Sequence, residues 1–173
     1  MANYKEKLAE ITTFIFDFDG VLSDGKVWAL PNGEQLRATN VKDGYAIQYA
    51  LKLGYNICII SGGCSEGMRK RYDGFEGMDI FLKVPDKMAC FRQYMQEKNL
   101  KKEQILYMGD DIPDYYVMQA SGLKTCPKDA AVEIQEIADY ISPFKGGKGC
   151  VRDVIEQTLR CKNQWFNEES HIW

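Results

Sequence analysis

Residues 12–20 read Thr-Thr-Phe-Ile-Phe-Asp-Phe-Asp-Gly, and this stretch decides the fold. Its three consecutive apolar residues lack the alternation of a half-solvated strand, which predicts a central parallel strand covered on both faces. Asp17 and Asp19 come at the strand end, before a sharp turn at Gly20. Because ligands bind beyond the carboxyl ends of strands in open α/β sheets, both aspartates lie where chemistry is expected. The alternative is a plain turn in which Asp19 bonds its own backbone.

Strand and helix patterns alternate along the rest of the chain. Apolar runs predict strands at residues 55–60, 80–82, 105–108, 123–126 and 140–141. Helices are predicted at 43–53, 65–72, 87–98, 130–137 and 151–160, with Asp43 and Asp86 as N-caps and Pro113 in the first turn of one more helix. Right-handed crossovers then give an α/β, Rossmann-like fold of three layers, a mainly parallel sheet with helices on both faces. Since no dinucleotide fingerprint and no P-loop occur, a nucleotide-binding sheet is not favoured.

The chain length of 173 residues fits one domain, predicted over residues 1–173. The pair Asn32-Gly33 between two short extended runs predicts a small β-hairpin. We expect this hairpin to form a flap over residues 24–39 that overhangs the strand ends. Residues 161–173 form a C-terminal tail, for which an interface, a lid and a disordered end are all open interpretations.

Composition excludes several classes of function. The chain has 22 Lys and Arg against 25 Asp and Glu, a net charge of −3, which argues against a general nucleic-acid binder. No segment is apolar and long enough to span a bilayer, and the first residues lack the apolar core of a signal peptide, so we expect no membrane partner and a cytoplasmic location. The six cysteines show no metal-ligand spacing and are interpreted as reduced thiols.

Two further junctions carry side chains suited to a phosphate. Ser61 and Gly62 follow the strand at 55–60 and offer a hydroxyl and backbone N–H groups for close approach by an anion. Lys87 lies in the first turn of its helix, where the macrodipole disfavours a cation. Taken alone, an ordinary turn and a solvated lysine explain these residues better.

Three more carboxylates, Asp110, Asp111 and Asp114, follow the strand at 105–108. A sheet that brings this strand end beside Asp17 creates strong repulsion between like charges. Magnesium relieves such repulsion, because it prefers oxygen ligands. A helix N-cap is the alternative, and it explains one aspartate better than three.

The order of these signals resembles the haloacid dehalogenase superfamily of phosphatases. The resemblance covers about residues 11–159, nearly the whole chain. Its four motifs stand here as Asp17-Phe-Asp19-Gly-Val, Ser61, Lys87 and Gly109-Asp110-Asp111-x-x-Asp114.

The resemblance implies a role for each of these residues. Asp17 is the nucleophile that forms an aspartyl-phosphate, and Asp19 is the general acid and base. Mg²⁺ is held by Asp17, by Asp19 through its backbone carbonyl, and by Asp110. The phosphate is bound by Ser61, Gly62 and the catalytic Lys87. The site is supported by Asp111 and Asp114, which lie outside the first shell of metal ligands.

The chain also looks like a member without a cap domain, because the motif spacing leaves room only for the hairpin. Residues 32–34, 40–45 and 146–154 are similar to those of 3-deoxy-D-manno-octulosonate (KDO) 8-phosphate phosphatases. This resemblance implies a small acidic sugar phosphate as substrate and a homotetramer in which neighbouring subunits close the active site. Arg71, Lys148 and Arg152 are candidate partners for the sugar acid, although solvated surface charge is the simpler interpretation of each.

One departure bears on the substrate. The family commonly has Thr-Gly-Arg where this chain has Ser61-Gly62-Gly63, and a branch acting on nine-carbon keto-deoxy sugar phosphates tends to have glutamate at the third position. A phosphatase of such a nine-carbon acid is therefore the alternative. A phosphomutase is disfavoured by the missing cap, and a catalytically silent scaffold domain is disfavoured by the intact aspartates and Lys87.

Overall fold

The computed structural model of the protein describes residues 3–167, 170 and 171. Its strands are β1 (Thr13–Phe16), β2 (Trp28–Ala29), β3 (Gln35–Leu36), β4 (Asn56–Ile60), β5 (Met78–Phe81), β6 (Ile105–Met108), β7 (Leu123–Cys126) and β8 (Tyr140–Ile141). Its α-helices are α1 (Tyr4–Leu8), α2 (Val41–Lys52), α3 (Glu66–Lys70), α4 (Lys87–Glu97), α5 (Tyr115–Ala120), α6 (Val132–Ile137) and α7 (Cys150–Cys161). Six strands form one parallel sheet in the order β5-β4-β1-β6-β7-β8. The predicted α/β class with a parallel sheet is confirmed.

The central strand β1 explains the three layers. Phe14 and Phe16 point to one face of the sheet, where they pack in a core with α1, α2, α3 and α7. Ile15 points to the other face and packs in a second core with α4, α5 and α6. All four residues of β1 are buried, as the apolar run predicted. The sheet is therefore covered by helices on both faces.

The start of α2 differs from the prediction. Its N-cap is Asn40, whose side-chain oxygen accepts the Lys42 N–H at 2.8 Å, and not Asp43. Asp43 is buried instead, and its Oδ1 accepts the backbone N–H of Arg152 at 2.7 Å. This N–H lies in the first turn of α7, whose N-cap, Gly149, has no side chain. Asp43 thus caps a neighbouring helix across the core, a contact that local spacing does not encode.

The predicted hairpin is present as β2 and β3, which pair antiparallel. These two strands form a sheet separate from the six-stranded one, and a bridge between Ser23 and Thr39 closes the base of the hairpin. Trp28 is 71% exposed. An isolated two-stranded sheet is marginally stable in water, so its packing partners matter to it.

The described part of the C-terminal tail packs on the chain's own α2. Trp165 makes edge-on ring contacts with Tyr45 and Tyr49, at centroid distances of 6.2 and 5.5 Å. Tyr55 Oη donates to Gln164 Oε1 at 2.6 Å. The rest of the predicted tail, residues 168, 169, 172 and 173, lies outside the described residues. Within the described chain, no helix combines the length and the apolar character needed to cross a bilayer.

Candidate active site

Three carboxylates meet at the carboxyl ends of β1 and β6. Asp17 follows β1 directly, and the loop after β6 supplies Asp110 and Asp114. Since β1 and β6 are hydrogen-bonded neighbours in the sheet, their ends lie side by side. Asp17, Asp110 and Asp114 each offer one oxygen, and these oxygens all lie within 4.8 Å of one another. The sheet therefore does bring the end of β6 beside Asp17.

Two glycines allow the carboxylates to come this close. A Cβ atom at Gly20, which has φ +87°, would lie 1.9 Å from Asp110 Oδ2. A Cβ atom at Gly109 would lie 2.4 Å from the Asp114 side chain. Any larger residue at either position would displace a carboxylate, so the glycines are required for the site.

Lys87 neutralises part of this charge. Its Nζ lies 3.0 Å from Asp17 Oδ2 and 2.8 Å from Asp114 Oδ1. Asp114 is fully buried, and it also accepts the hydroxyl of Tyr107 at 2.7 Å and the backbone N–H of Asp110 at 3.2 Å. Asp114 therefore holds Lys87 against Asp17. The predicted cap Asp86 places Lys87 in the first turn of α4 by accepting the Ala89 N–H.

The electrostatics of the cluster show a deficit of positive charge. Burial and the neighbouring Asp114 raise the pKa of Asp17 to about 7, although Lys87 and the Phe18 N–H oppose this. Burial, with the charges of Asp17 and Asp114, raises the pKa of Asp110 to about 8. For Lys87, burial lowers the pKa, but the two carboxylates outweigh it and the net shift is upward. One lysine does not balance three carboxylates.

The donor set fits a divalent cation. Asp110 Oδ1 is buried and has no hydrogen-bond partner in the described structure, which is costly for a carboxylate oxygen. The neighbouring Asp17 carboxylate accepts the Phe18 N–H at Oδ1 and faces Lys87 at Oδ2, so its contacts resemble those of Asp114. Hard oxygen ligands of this kind suit Mg²⁺, and coordination of the ion by Asp17 and Asp110 stays a prediction.

Asp19 has a partner that the sequence did not reveal. Arg37, just after β3 on the hairpin, donates from Nε to Asp19 Oδ1 at 2.7 Å and from Nη2 to Oδ2 at 3.0 Å. The hydroxyl of Ser23 donates to Oδ1 at 3.1 Å. No local spacing places residue 37 beside residue 19, because the contact depends on how the hairpin folds over the strand ends.

A cleft of about 770 Å³ opens over these groups. It is lined by Asp17, Asp19, Ser61, Gly62, Gly63, Lys87, Asp110 and Asp111, and by apolar residues that include Val84, Pro85, Met88, Pro113 and Tyr116. Ser61 is buried, and its Oγ accepts the Gly63 N–H at 3.2 Å. Asp111 caps the following 3₁₀ turn by accepting the Ile112 N–H at 2.8 Å. The residues predicted to bind phosphate thus share one cleft with the carboxylates.

The three candidate partners of a sugar acid lie outside this cleft. Arg71 donates to Thr39 Oγ1 at 3.1 Å, and its guanidinium lies 5.2 Å from the ring centroid of Tyr72. Lys148 and Arg152 line a separate cavity of about 600 Å³. A role for these residues in binding the substrate stays a prediction.

Comparison with known protein families identifies the class of hydrolase that has this fold and this cluster of aspartates. The model of the haloacid dehalogenase-like hydrolases matches residues 72–154. The "3-deoxy-D-manno-octulosonate 8-phosphate phosphatase KdsC" of Salmonella typhi is 34% identical over 153 residues, covering 88% of this chain and 81% of the relative. The chain belongs to the haloacid dehalogenase-like hydrolases, in the family of these KDO 8-phosphate phosphatases.

Solved structures place the chain in the same family. The crystal structure of the Yersinia pestis KDO 8-phosphate phosphatase has a TM-score of 0.90 at 30% identity, covering 94% of this chain and 88% of that one. The Moraxella catarrhalis enzyme, in complex with magnesium, phosphate and KDO, has a TM-score of 0.90 at 27% identity, covering 95% of each chain. A resemblance at this level over nearly the whole length supports the family assignment beyond the matched model.

Proposed function

We propose that the protein is a Mg²⁺-dependent phosphatase that removes phosphate from KDO 8-phosphate, giving KDO and inorganic phosphate. The observation that carries this proposal is the placement of Asp17 in one cleft with Lys87, Ser61, Asp19 and Asp110. The family relatives support the substrate, since they carry the name of this activity.

In the first half of the reaction, the Asp17 carboxylate attacks the phosphorus atom, and the bond to the sugar oxygen breaks. Asp19 gives its proton to the departing oxygen. Lys87 and the Ser61 hydroxyl hold the non-bridging phosphate oxygens and stabilise their charge. The carboxylates of Asp17 and Asp110 and the backbone carbonyl of Asp19 would hold Mg²⁺, whose charge would offset the repulsion between the Asp17 carboxylate and the phosphate.

In the second half, water attacks the phosphorus of the aspartyl-phosphate, and Asp19 takes a proton from this water. Phosphate leaves, and Asp17 is regenerated. Asp114 keeps Lys87 in place through its 2.8 Å contact, and Asp111 supports the loop that carries Asp110. Splitting one displacement into two steps is the contribution of the covalent intermediate.

The proposal is tested by Mg²⁺-dependent phosphate release from KDO 8-phosphate, its nine-carbon analogue KDN 9-phosphate and simple sugar phosphates. We expect a strong preference for the eight-carbon acid and its loss in Asp17→Asn. Asp73→Asn, which removes an exposed carboxylate, is the matched control and should keep full activity. A preference for the nine-carbon acid would establish the alternative, which Gly63 keeps open. Turnover in Asp17→Asn would contradict covalent catalysis, while transfer of phosphate between sugar positions would indicate a mutase.

We also propose a cytoplasmic homotetramer that binds neither nucleic acid nor membrane and in which neighbouring subunits close the cleft. The separate hairpin sheet with its exposed Trp28 supports this, because apolar side chains at a flap gain from a partner surface. Closure of the cleft by a neighbour would also strengthen the electrostatic contacts made to the phosphate inside it. Analytical ultracentrifugation with activity measured on each species tests it, and a fully active monomer would contradict it.

A further inference from the structure

The hairpin places a buried arginine against Asp19. The Arg37 side chain is 5% exposed, and its guanidinium forms a two-pronged contact with both Asp19 oxygens, at 2.7 and 3.0 Å. Such fork-shaped pairs fix the orientation of a carboxylate as well as its position. Gln35 Oε1 accepts a further bond from Nη2 at 3.2 Å and steadies the guanidinium in turn.

Stability alone does not explain this arrangement. Nη1 of Arg37 is buried and forms no hydrogen bond with the described residues, which is a cost to folding. The Asp19 side chain remains 30% exposed, so its ion pair is partly screened by water. A costly contact retained at the edge of a reaction cleft indicates a functional constraint.

Gly63 supplies the space for the pair. A Cβ atom there would lie 2.9 Å from Asp19 Oδ2 and 3.3 Å from Arg37 Nη2. The backbone of Gly63 is not in the left-handed region, so other residues are compatible with its conformation, and the missing side chain matters for room alone. Any side chain at position 63 would therefore compete for space with the Arg37–Asp19 contact.

We propose that Arg37 is the positioning residue for Asp19 in proton transfer, in an arrangement that Gly63 permits; this inference rests on the proposed function. Asp19 must protonate the departing sugar oxygen and later take a proton from water, so its carboxyl group must keep one orientation through both steps. Arg37 acts through Asp19 and holds it from the hairpin of the same chain.

The test compares esters whose leaving groups differ in their need for a proton. Departure of a sugar alkoxide requires protonation, whereas departure of p-nitrophenolate does not. We expect Arg37→Met to lower kcat/KM for KDO 8-phosphate by about 100-fold, the usual contribution of a general acid. For p-nitrophenyl phosphate, kcat/KM should stay within about threefold of wild type, because phosphoryl transfer to Asp17 then needs no acid.

Controls separate positioning from folding. Arg92→Met removes an exposed arginine on α4 and should leave both rates unchanged. Gly63→Ala keeps Arg37 but crowds the pair, and it should reproduce the loss selective for the sugar phosphate. Arg37→Lys keeps the charge without the fork and should fall between wild type and Arg37→Met.

The outcomes distinguish this inference from the proposed function. Equal losses on both esters, or no loss on either, would overturn the role of Arg37 while wild-type activity stands. If wild type hydrolyses another sugar phosphate instead of KDO 8-phosphate, only the substrate changes, and the same comparison is made with that ester. Wild-type protein that hydrolyses no phosphate ester would overturn both.

Discussion

Replacing Asp43 by asparagine should make the stability of the protein, relative to wild type, increase as the pH rises from acidic to neutral. Burial raises the pKa of Asp43 from 3.8 to about 6, even though its Oδ1 accepts the Arg152 N–H. Its Oδ2 is buried and has no partner in the described structure. The fold therefore favours the neutral acid, and asparagine resembles that neutral form in shape and charge.

The sign and size follow from proton linkage. A native pKa above the unfolded one means that the native state holds the proton more tightly, so stability is lost as the pH rises from 3.8 to about 6. The full difference of about 2.2 in pKa corresponds to about 3 kcal/mol. About 1 kcal/mol of this is already lost at about pH 4.5, and nearly all of it at about pH 7.5.

Urea unfolding followed by circular dichroism measures the effect at both pH values. The free energy of unfolding of Asp43→Asn minus that of wild type should rise by about 2 kcal/mol between about pH 4.5 and about pH 7.5. Taking this difference cancels the constant cost of the new amide and the titration of other groups. Asp73→Asn, at an exposed site, should show no such rise. A difference independent of pH would refute the reasoning that burial of Asp43 raises its pKa.

Two further substitutions test the construction of the site. Asp110→Asn should weaken Mg²⁺ binding, measured by calorimetry, by at least about tenfold. Loss of a residue that merely hydrogen-bonds a metal ligand already costs this much in affinity. Unchanged affinity would exclude Asp110 as a ligand. Gly146→Ala places a Cβ atom 2.0 Å from the Gly20 carbonyl oxygen and should cost about 1–3 kcal/mol in urea unfolding. Gly74→Ala, with no atom within 4 Å of its Cβ, is the control, and equal effects of the two would contradict the steric argument.

Features governed by local pattern were predictable from the sequence. The apolar run before Asp17 indicated a central strand, and β6 and β7 have the predicted bounds. The position of Lys87 followed from Asp86, whose cap sets the start of α4. These predictions needed only periodicity and capping residues. The meeting of Asp17 with Asp110 was implied by the family resemblance instead, because the strand pattern does not give the order of the strands in the sheet.

Contacts made by long-range packing were not predictable in this way. The hairpin was visible in Asn32-Gly33, but nothing local shows that it folds back to bring Arg37 onto Asp19. The sequence predicts Asp43 as the N-cap of its own helix, and its actual contact with the Arg152 N–H, 109 positions along the chain, leaves no signal in local spacing. Both cases are polar groups whose partners are set by the tertiary fold.

The second core links the packing of α4 to the position of Lys87. Phe91, one turn after Lys87 on α4, packs edge-on against the Tyr107 ring at 6.3 Å, and Tyr107 bonds Asp114, which in turn holds Lys87. The depth of α4 in this core therefore determines the position of the Lys87 ammonium group. Substitutions beneath the helix would tune turnover from the interior, so a library selected for activity should accumulate changes at positions that never meet the substrate.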